Sequence, residues 1–189
     1  MRKTIFKLLL VLGLCLAGFG TTLPVQAKST PFWQRPSEKK AYPNVKKHPK
    51  LWVLVSKKTE RTYLVDNGKI LYTMLSSTGS KGENQTPSGT FEIQAERGDF
   101  FYNQSSGEGA KYWVSWKDHG IYLFHSVPTD QDGNFITKEA NQLGKKANSH
   151  GCIRLSVADA KWFYQNIQTG TKVVISNSGN IEHLVKNYS

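Results

Sequence analysis

The sequence predicts a mainly β domain, a β-sandwich or barrel-like body with one or two short helices. Short β-branched and aromatic runs follow one another closely from Leu51 to Ser176. Asp66-Asn67-Gly68 stands between two of these runs as a hairpin-turn signal. Helical periodicity is confined to two brief stretches, and the chain has no internal repeat.

The runs taken as strands are LWVLVS (51–56), RTYLVD (61–66), KILYTMLSS (69–77), GTFEIQA (89–95), KYWVSW (111–116), GIYLFHS (120–126) and TKVVIS (171–176). TKEANQL (137–143), ending at Gly144, is a short helix candidate. Val157 to Gln168 is a stronger one. Ser156 is placed to cap it with Asp159 at its third position, Gly170 lies past its end, and Ala160, Phe163, Tyr164 and Ile167 form an apolar stripe.

Before the domain stand two other segments. Arg2, Lys3 and Lys7 precede an uncharged apolar run, Leu8 to Phe19, and Val25-Gln26-Ala27 offers a small-residue cleavage site. Residues 1–27 are therefore expected to be a signal peptide or an uncleaved signal anchor, and the protein to be exported and soluble or surface-associated. Residues 28–50 contain Pro31, Pro36, Pro43 and Pro49 with no periodicity, and are expected to be an extended basic linker. The folded body is assigned to 51–177 and a C-terminal tail to 178–189.

Charge narrows the choice of partner. The chain carries a formal +11, but residues 28–50 hold seven Lys/Arg against one Glu, while residue 51 onward holds 15 against 13. A nearly neutral body excludes nucleic acid as the expected partner. The basic leader suits an anionic wall polymer or membrane surface, or serves only as a solubilising tether. A monomer is expected.

The chemistry-bearing stretch is ANSHGCIRLS (147–156). With Cys15 inside the apolar leader, Cys152 is the one thiol beyond the candidate cleavage site. It sits in a polar, glycine-bounded segment outside any apolar pattern, which favours an accessible, reactive thiol. Five scattered histidines and one cysteine beyond the candidate cleavage site give no metal-ligand spacing, so neither metal nor cofactor is expected. A thiol nucleophile needs a base, a group orienting that base and oxyanion donors. His150, adjacent in sequence, and His125, at the end of a strand, compete as base. Amides around Gly151 and Cys152 are candidate oxyanion donors, and the helix start at Ser156–Val157 is placed to lower the thiol pKa. Arg154 suits a substrate carboxylate or, equally, structural loop carbonyls. Tyr102, Tyr112, Trp113 and Trp116 are candidates for lining a cleft or for the core.

SHGCIRL (149–155) resembles the active-site signature of the YkuD-type L,D-transpeptidases. TPSGTFEI (86–93) and YLFHSV (122–127) resemble two further stretches of that family, in matching order. The resemblance covers Leu51 to Ser176. It departs in one respect: 24 positions separate His125 from Ser149, more than in many members, and the extra length resembles a lid over the cleft.

The resemblance implies a metal-free cysteine acyltransferase of peptidoglycan, exported to the bacterial cell wall or the outer face of the envelope. By it, Cys152 attacks the carbonyl of the third, L-configured stem residue, releases D-Ala and carries the stem as a thioester. An amine then makes a 3→3 cross-link, or water makes the enzyme a carboxypeptidase. His125 becomes the preferred base, oriented by the carbonyl of Ser126. His150 and Gly151 shape the nucleophile loop and oxyanion site, while Arg154, Ser149, Tyr112 and Trp113 are candidates to bind substrate. The alternatives are a sortase-like transpeptidase, a papain-like wall endopeptidase and a non-catalytic wall-binding module. The first lacks its Thr-Leu-x-Thr-Cys strand here. The second places its cysteine before its histidine, and the third would bring repeats or a second domain.

Overall fold

The computed structural model describes residues 29–189, so the apolar N-terminal run and its cleavage site lie outside the described residues. β1 (Trp52–Ser56), β2 (Arg61–Asp66) and β3 (Lys69–Ser77) form an antiparallel meander. Asn67 and Gly68, at φ 48° and 70°, make the two-residue turn between β2 and β3. The remaining strands are β4 (Gly89–Glu92), β5 (Arg97–Asn103), β6 (Glu108–Lys117), β7 (Tyr122–Ser126), β8 (Ile153–Leu155) and β9 (Lys172–Ser176). They join one curled nine-stranded sheet in the order β4-β9-β1-β2-β3-β8-β7-β6-β5.

Three helices accompany the sheet: α1 (Thr137–Ala140), α2 (Val157–Asn166) and α3 (Ile181–Tyr188). Ser156 caps α2 by accepting the Asp159 N–H at 3.1 Å. α1 is shorter than TKEANQL suggested, and α2 ends before Ile167, whose side chain turns into the core.

β1 is buried on both faces because each face has its own cover. Val53 and Val55 join Leu64, Phe124, Phe163 and Ile167 in the main core beneath α2. Trp52 and Leu54, offset by one position, join Tyr63 and Val65 under Leu184 and Val185 of α3. The C-terminal stretch expected as a tail is therefore a helix that seals one face of the sheet.

The leader also departs from expectation. Residues 30–50 are not a free tether but lie docked on the body. Trp33 is 4% exposed and packs with Val127, Ala140 and Leu143. Ser37 donates both its N–H and its hydroxyl to the fully buried Asp159 carboxylate, which also accepts the Tyr42 hydroxyl at 2.7 Å. β3 meets β8 only at Ser76 and Ser77, leaving earlier β3 amides open on that edge. Ser37 Oγ accepts from Leu75 N at 2.8 Å and Glu38 Oε1 from Thr73 N at 2.7 Å. The leader thus supplies the acceptors an unpaired strand edge lacks. Its prolines favour an extended path, and its few apolar and hydroxyl side chains secure that path to the body.

Candidate active site

β7 and β8 run parallel, with Phe124 opposite Ile153 and His125 opposite Arg154. This register brings His125 and Cys152, distant in sequence, to the wall of one cavity of about 310 Å³. Phe101, Trp113, Ile121, Glu108 and His150 also face it.

His125 is 6% exposed and lies edge-on to Phe101, with ring centroids 5.6 Å apart. Its Nδ1 is 2.6 Å from the Ser126 carbonyl oxygen. A carbonyl only accepts, so the ring proton sits on Nδ1 and the Nε2 lone pair remains free. Burial, reinforced by the nearby positive charge of Arg154, pushes His125 down to about 3, against the opposing pull of the Ser126 hydrogen bond. Ser126 Oγ meanwhile accepts from Lys111 N at 3.0 Å and donates to the Val127 carbonyl at 2.8 Å, fixing the strand end that carries the histidine.

The Cys152 thiol, among the described residues, hydrogen-bonds the Ile121 carbonyl at 3.6 Å. Burial pushes it up to about 11, offset in part by a backbone hydrogen bond from Leu123 and the charge of Arg154. β8 separates Cys152 from the start of α2, so the helix dipole expected to lower the thiol pKa is not at the sulfur. At neutral pH the site holds a neutral thiol and a neutral imidazole.

The Cys152 loop is fastened on several sides. The Thr78 carbonyl accepts from Asn148 N and Ser149 N, and Ser149 O accepts from Ser80 N at 3.0 Å. Ser149 Oγ donates to the Cys152 carbonyl at 2.6 Å and accepts from Gly151 N at 3.2 Å. Fully buried Thr86, of the TPSG stretch, accepts from Gly79 N at 2.7 Å and donates to the Gly151 carbonyl at 2.8 Å. Gly151 takes φ 116°, and a Cβ on Gly79 would stand 2.8 Å from Gly151 Cα and 1.9 Å from the Asn84 carbonyl oxygen. Only glycines let these two backbones meet.

Several expected roles change. Arg154 is 2% exposed and donates to Glu108 at 2.6 Å and to Glu139 at 3.1 Å, so both Nη atoms are engaged by carboxylates. Ser149 is buried and serves the loop itself. Gly151 N–H goes to Ser149 and is not a free oxyanion donor. Tyr112 packs beside Tyr164 away from the cavity, whereas Trp113 lines it. Trp116 is core, and Tyr102 is not among the cavity-lining residues. His150 stands at the cavity wall with its side chain 56% exposed, its Nδ1 3.7 Å from Glu108. Glu108, Glu139 and Ile121 were not singled out in the sequence. Glu108 lies between two glycines, and nothing local marks it for the cavity. Among the described residues no group of three or more His, Cys, Asp or Glu could hold a metal.

The model of the YkuD L,D-transpeptidase catalytic domain matches residues 50–175. The chain belongs to that family. It is 48% identical over 153 residues to "Putative L,D-transpeptidase YciB" of Bacillus subtilis (strain 168), covering 79% of this chain and 77% of that protein. An L,D-transpeptidase from Mycobacterium smegmatis superposes with a TM-score of 0.55 at 21% identity, over 67% of this chain and 58% of the other. One from Mycobacterium tuberculosis H37Rv gives 0.54 at 23% identity, over 67% and 57%. The L,D-transpeptidase fold is common to all three, and this chain spans under two thirds of those two solved chains. In this chain the three stretches SHGCIRL, TPSGTFEI and YLFHSV meet at one place: Cys152 loop, loop brace and histidine strand.

Proposed function

We propose that this protein is an exported L,D-transpeptidase that cross-links or trims peptidoglycan stems through a thioester on Cys152. The observation that supports this best is the arrangement of His125, whose Nδ1–H is held by the Ser126 carbonyl and whose Nε2 is left to take a proton beside Cys152.

With a neutral thiol and a neutral imidazole, proton transfer accompanies attack rather than preceding it. As Sγ bonds to the third-residue carbonyl carbon, its proton passes to His125 Nε2 and the carbonyl becomes an oxyanion. Collapse of that intermediate breaks the C–N bond to D-Ala, whose nitrogen takes the proton from His125. An acceptor amine then attacks the thioester and gives a proton to His125. The C–S bond breaks and the sulfur recovers its proton. Water in place of the amine gives the tripeptide.

The apolar run at residues 8–19, with its basic start and small-residue site, supports export to the wall, where such stems lie. The test is incubation with purified tetrapeptide muropeptides and mass analysis. Loss of D-Ala with dimers or tripeptides as products is expected, and intact substrate after long incubation would refute the reading.

A further inference from the structure

Glu108, at the start of β6, sits on the cavity wall with its side chain 21% exposed. Its Oε2 accepts from Arg154 and lies 3.7 Å from His150 Nδ1. Among the described residues its Oε1 has no hydrogen-bond partner, and it is not one of the sealed-off polar atoms.

The charges around it do not balance. Arg154 is a single guanidinium shared between two carboxylates, Glu108 and Glu139. Of the described residues lining the cavity, Glu108 is the one carboxylate and Arg154 the one permanent cation. Counting Arg154, Glu108 and Glu139 alone, the triad leaves one negative charge in excess, and Glu108, which lines the cavity, has its Oε1 unpaired among the described residues. Phe101, Trp113, Ile121 and Leu123 make much of the remaining wall apolar, which strengthens any charge pair formed there. A carboxylate that shares its one cation with another in such a place gains from a second cation.

We propose that Glu108 Oε1 is a subsite for a primary alkylammonium group carried by the peptide that reacts at Cys152. The proposal rests on the acyl-transfer reading above, since that reading brings peptides bearing free amines to this cavity. Two sources share the chemistry: the side-chain amine of the donor stem's third residue, and the amine of the incoming acceptor. Either would donate up to three hydrogen bonds, one of them to Oε1, and neutralise the excess charge.

The test compares a tripeptide ending in lysine with its Nε-acetyl counterpart, binding to the wild type, Glu108→Gln and Glu108→Asp by calorimetry. Glu108→Gln keeps an acceptor for Arg154 and removes the charge. If the donor amine is the ligand, the wild type binds the free amine about tenfold more tightly than the acetylated one. That preference falls to about one in Glu108→Gln and is intermediate in Glu108→Asp. A second arm measures how the acyl-enzyme divides between an amine acceptor and water. A binding ratio unaffected by substitution, together with an amine share about tenfold lower in Glu108→Gln, assigns the subsite to the acceptor. Unchanged ratios in both arms overturn the proposal. Circular dichroism confirms that each variant is folded, and Glu108→Asp keeps the charge should Glu108→Gln fail to fold. Because the binding arm needs no turnover, absence of D-Ala release refutes the enzymatic reading without deciding the subsite.

Discussion

Replacing His125 with glutamine should flatten the acid side of the stability curve. In the folded chain this histidine is buried and held neutral down to about pH 3, whereas in an unfolded chain it titrates near 6.5. Between those values the unfolded state binds the extra proton. Stability contributed by the neutral ring is thus present above pH 6.5 and lost as pH falls toward 3. The slope is about 1.4 kcal/mol per pH unit, and the loss between pH 6.5 and 4 sums to about 3 kcal/mol. Asp159 and Glu60, whose carboxyls burial pushes upward, act in the opposite direction over part of the same range. They are present in both proteins and cancel on subtraction. Glutamine also changes the contact with the Ser126 carbonyl, but that is a constant offset and leaves the slope untouched. Urea unfolding at half-unit steps from pH 7.5 to 4 measures both curves. The wild type should lose about 3 kcal/mol more than His125→Gln across the interval. Parallel curves would mean that the folded ring titrates as it does in the unfolded chain, and the burial-driven lowering of its pKa would fall.

Other outcomes follow from the same contacts. Cys152→Ala should abolish D-Ala release while changing stability by less than about 1 kcal/mol; retained release in the muropeptide assay would remove the thiol from the mechanism. A carbapenem should add to the wild-type protein and not to Cys152→Ala, as read by intact-protein mass spectrometry. Thr86→Val leaves the Gly79 N–H and the Gly151 carbonyl buried without their partner. It should cost about 2–5 kcal/mol in denaturant unfolding and slow acylation. Trp33→Ala should cost about 3 kcal/mol in the same assay, whereas substitution in a free linker would leave the midpoint unchanged.

What the sequence made legible was set by local signals. β3 falls where the residue pattern places it, and the Asn67-Gly68 turn and the Ser156 cap need only a few neighbouring residues to specify them. β5 was missed because Arg97–Asn103 has no apolar alternation and presents exposed side chains. β8 was missed because its three residues lie inside the catalytic stretch and pair through distant strands. The leader was misjudged for a related reason. Proline and charge describe its conformation, but what holds it is Asp159 and the open edge of β3, more than 30 positions away. Arg154 illustrates the same limit at the site. Its planar guanidinium suits a substrate carboxylate on chemical grounds, yet Glu108 and Glu139, 46 and 15 positions distant, already engage it.

These long-range contacts give the docked leader a connection to the Cys152 loop. Trp33 packs on Ala140 and Leu143 of the extra segment between His125 and Ser149. That segment carries Glu139, whose Oε2 accepts from Arg154 and from Asn148 Nδ2 at 2.9 Å. Arg154 and Asn148 flank Cys152 in sequence on opposite sides. The added length therefore places a carboxylate behind the Cys152 loop, and the leader holds that carboxylate's helix in position. Glu139→Gln keeps the hydrogen-bond geometry but removes one of the two charges on Arg154, while Trp33→Ala leaves the charges and loosens the helix. If the linkage is mechanical, Trp33→Ala should lower the acylation rate more than Glu139→Gln does. If it is electrostatic, the order should reverse, and single-turnover acylation by a carbapenem distinguishes the two.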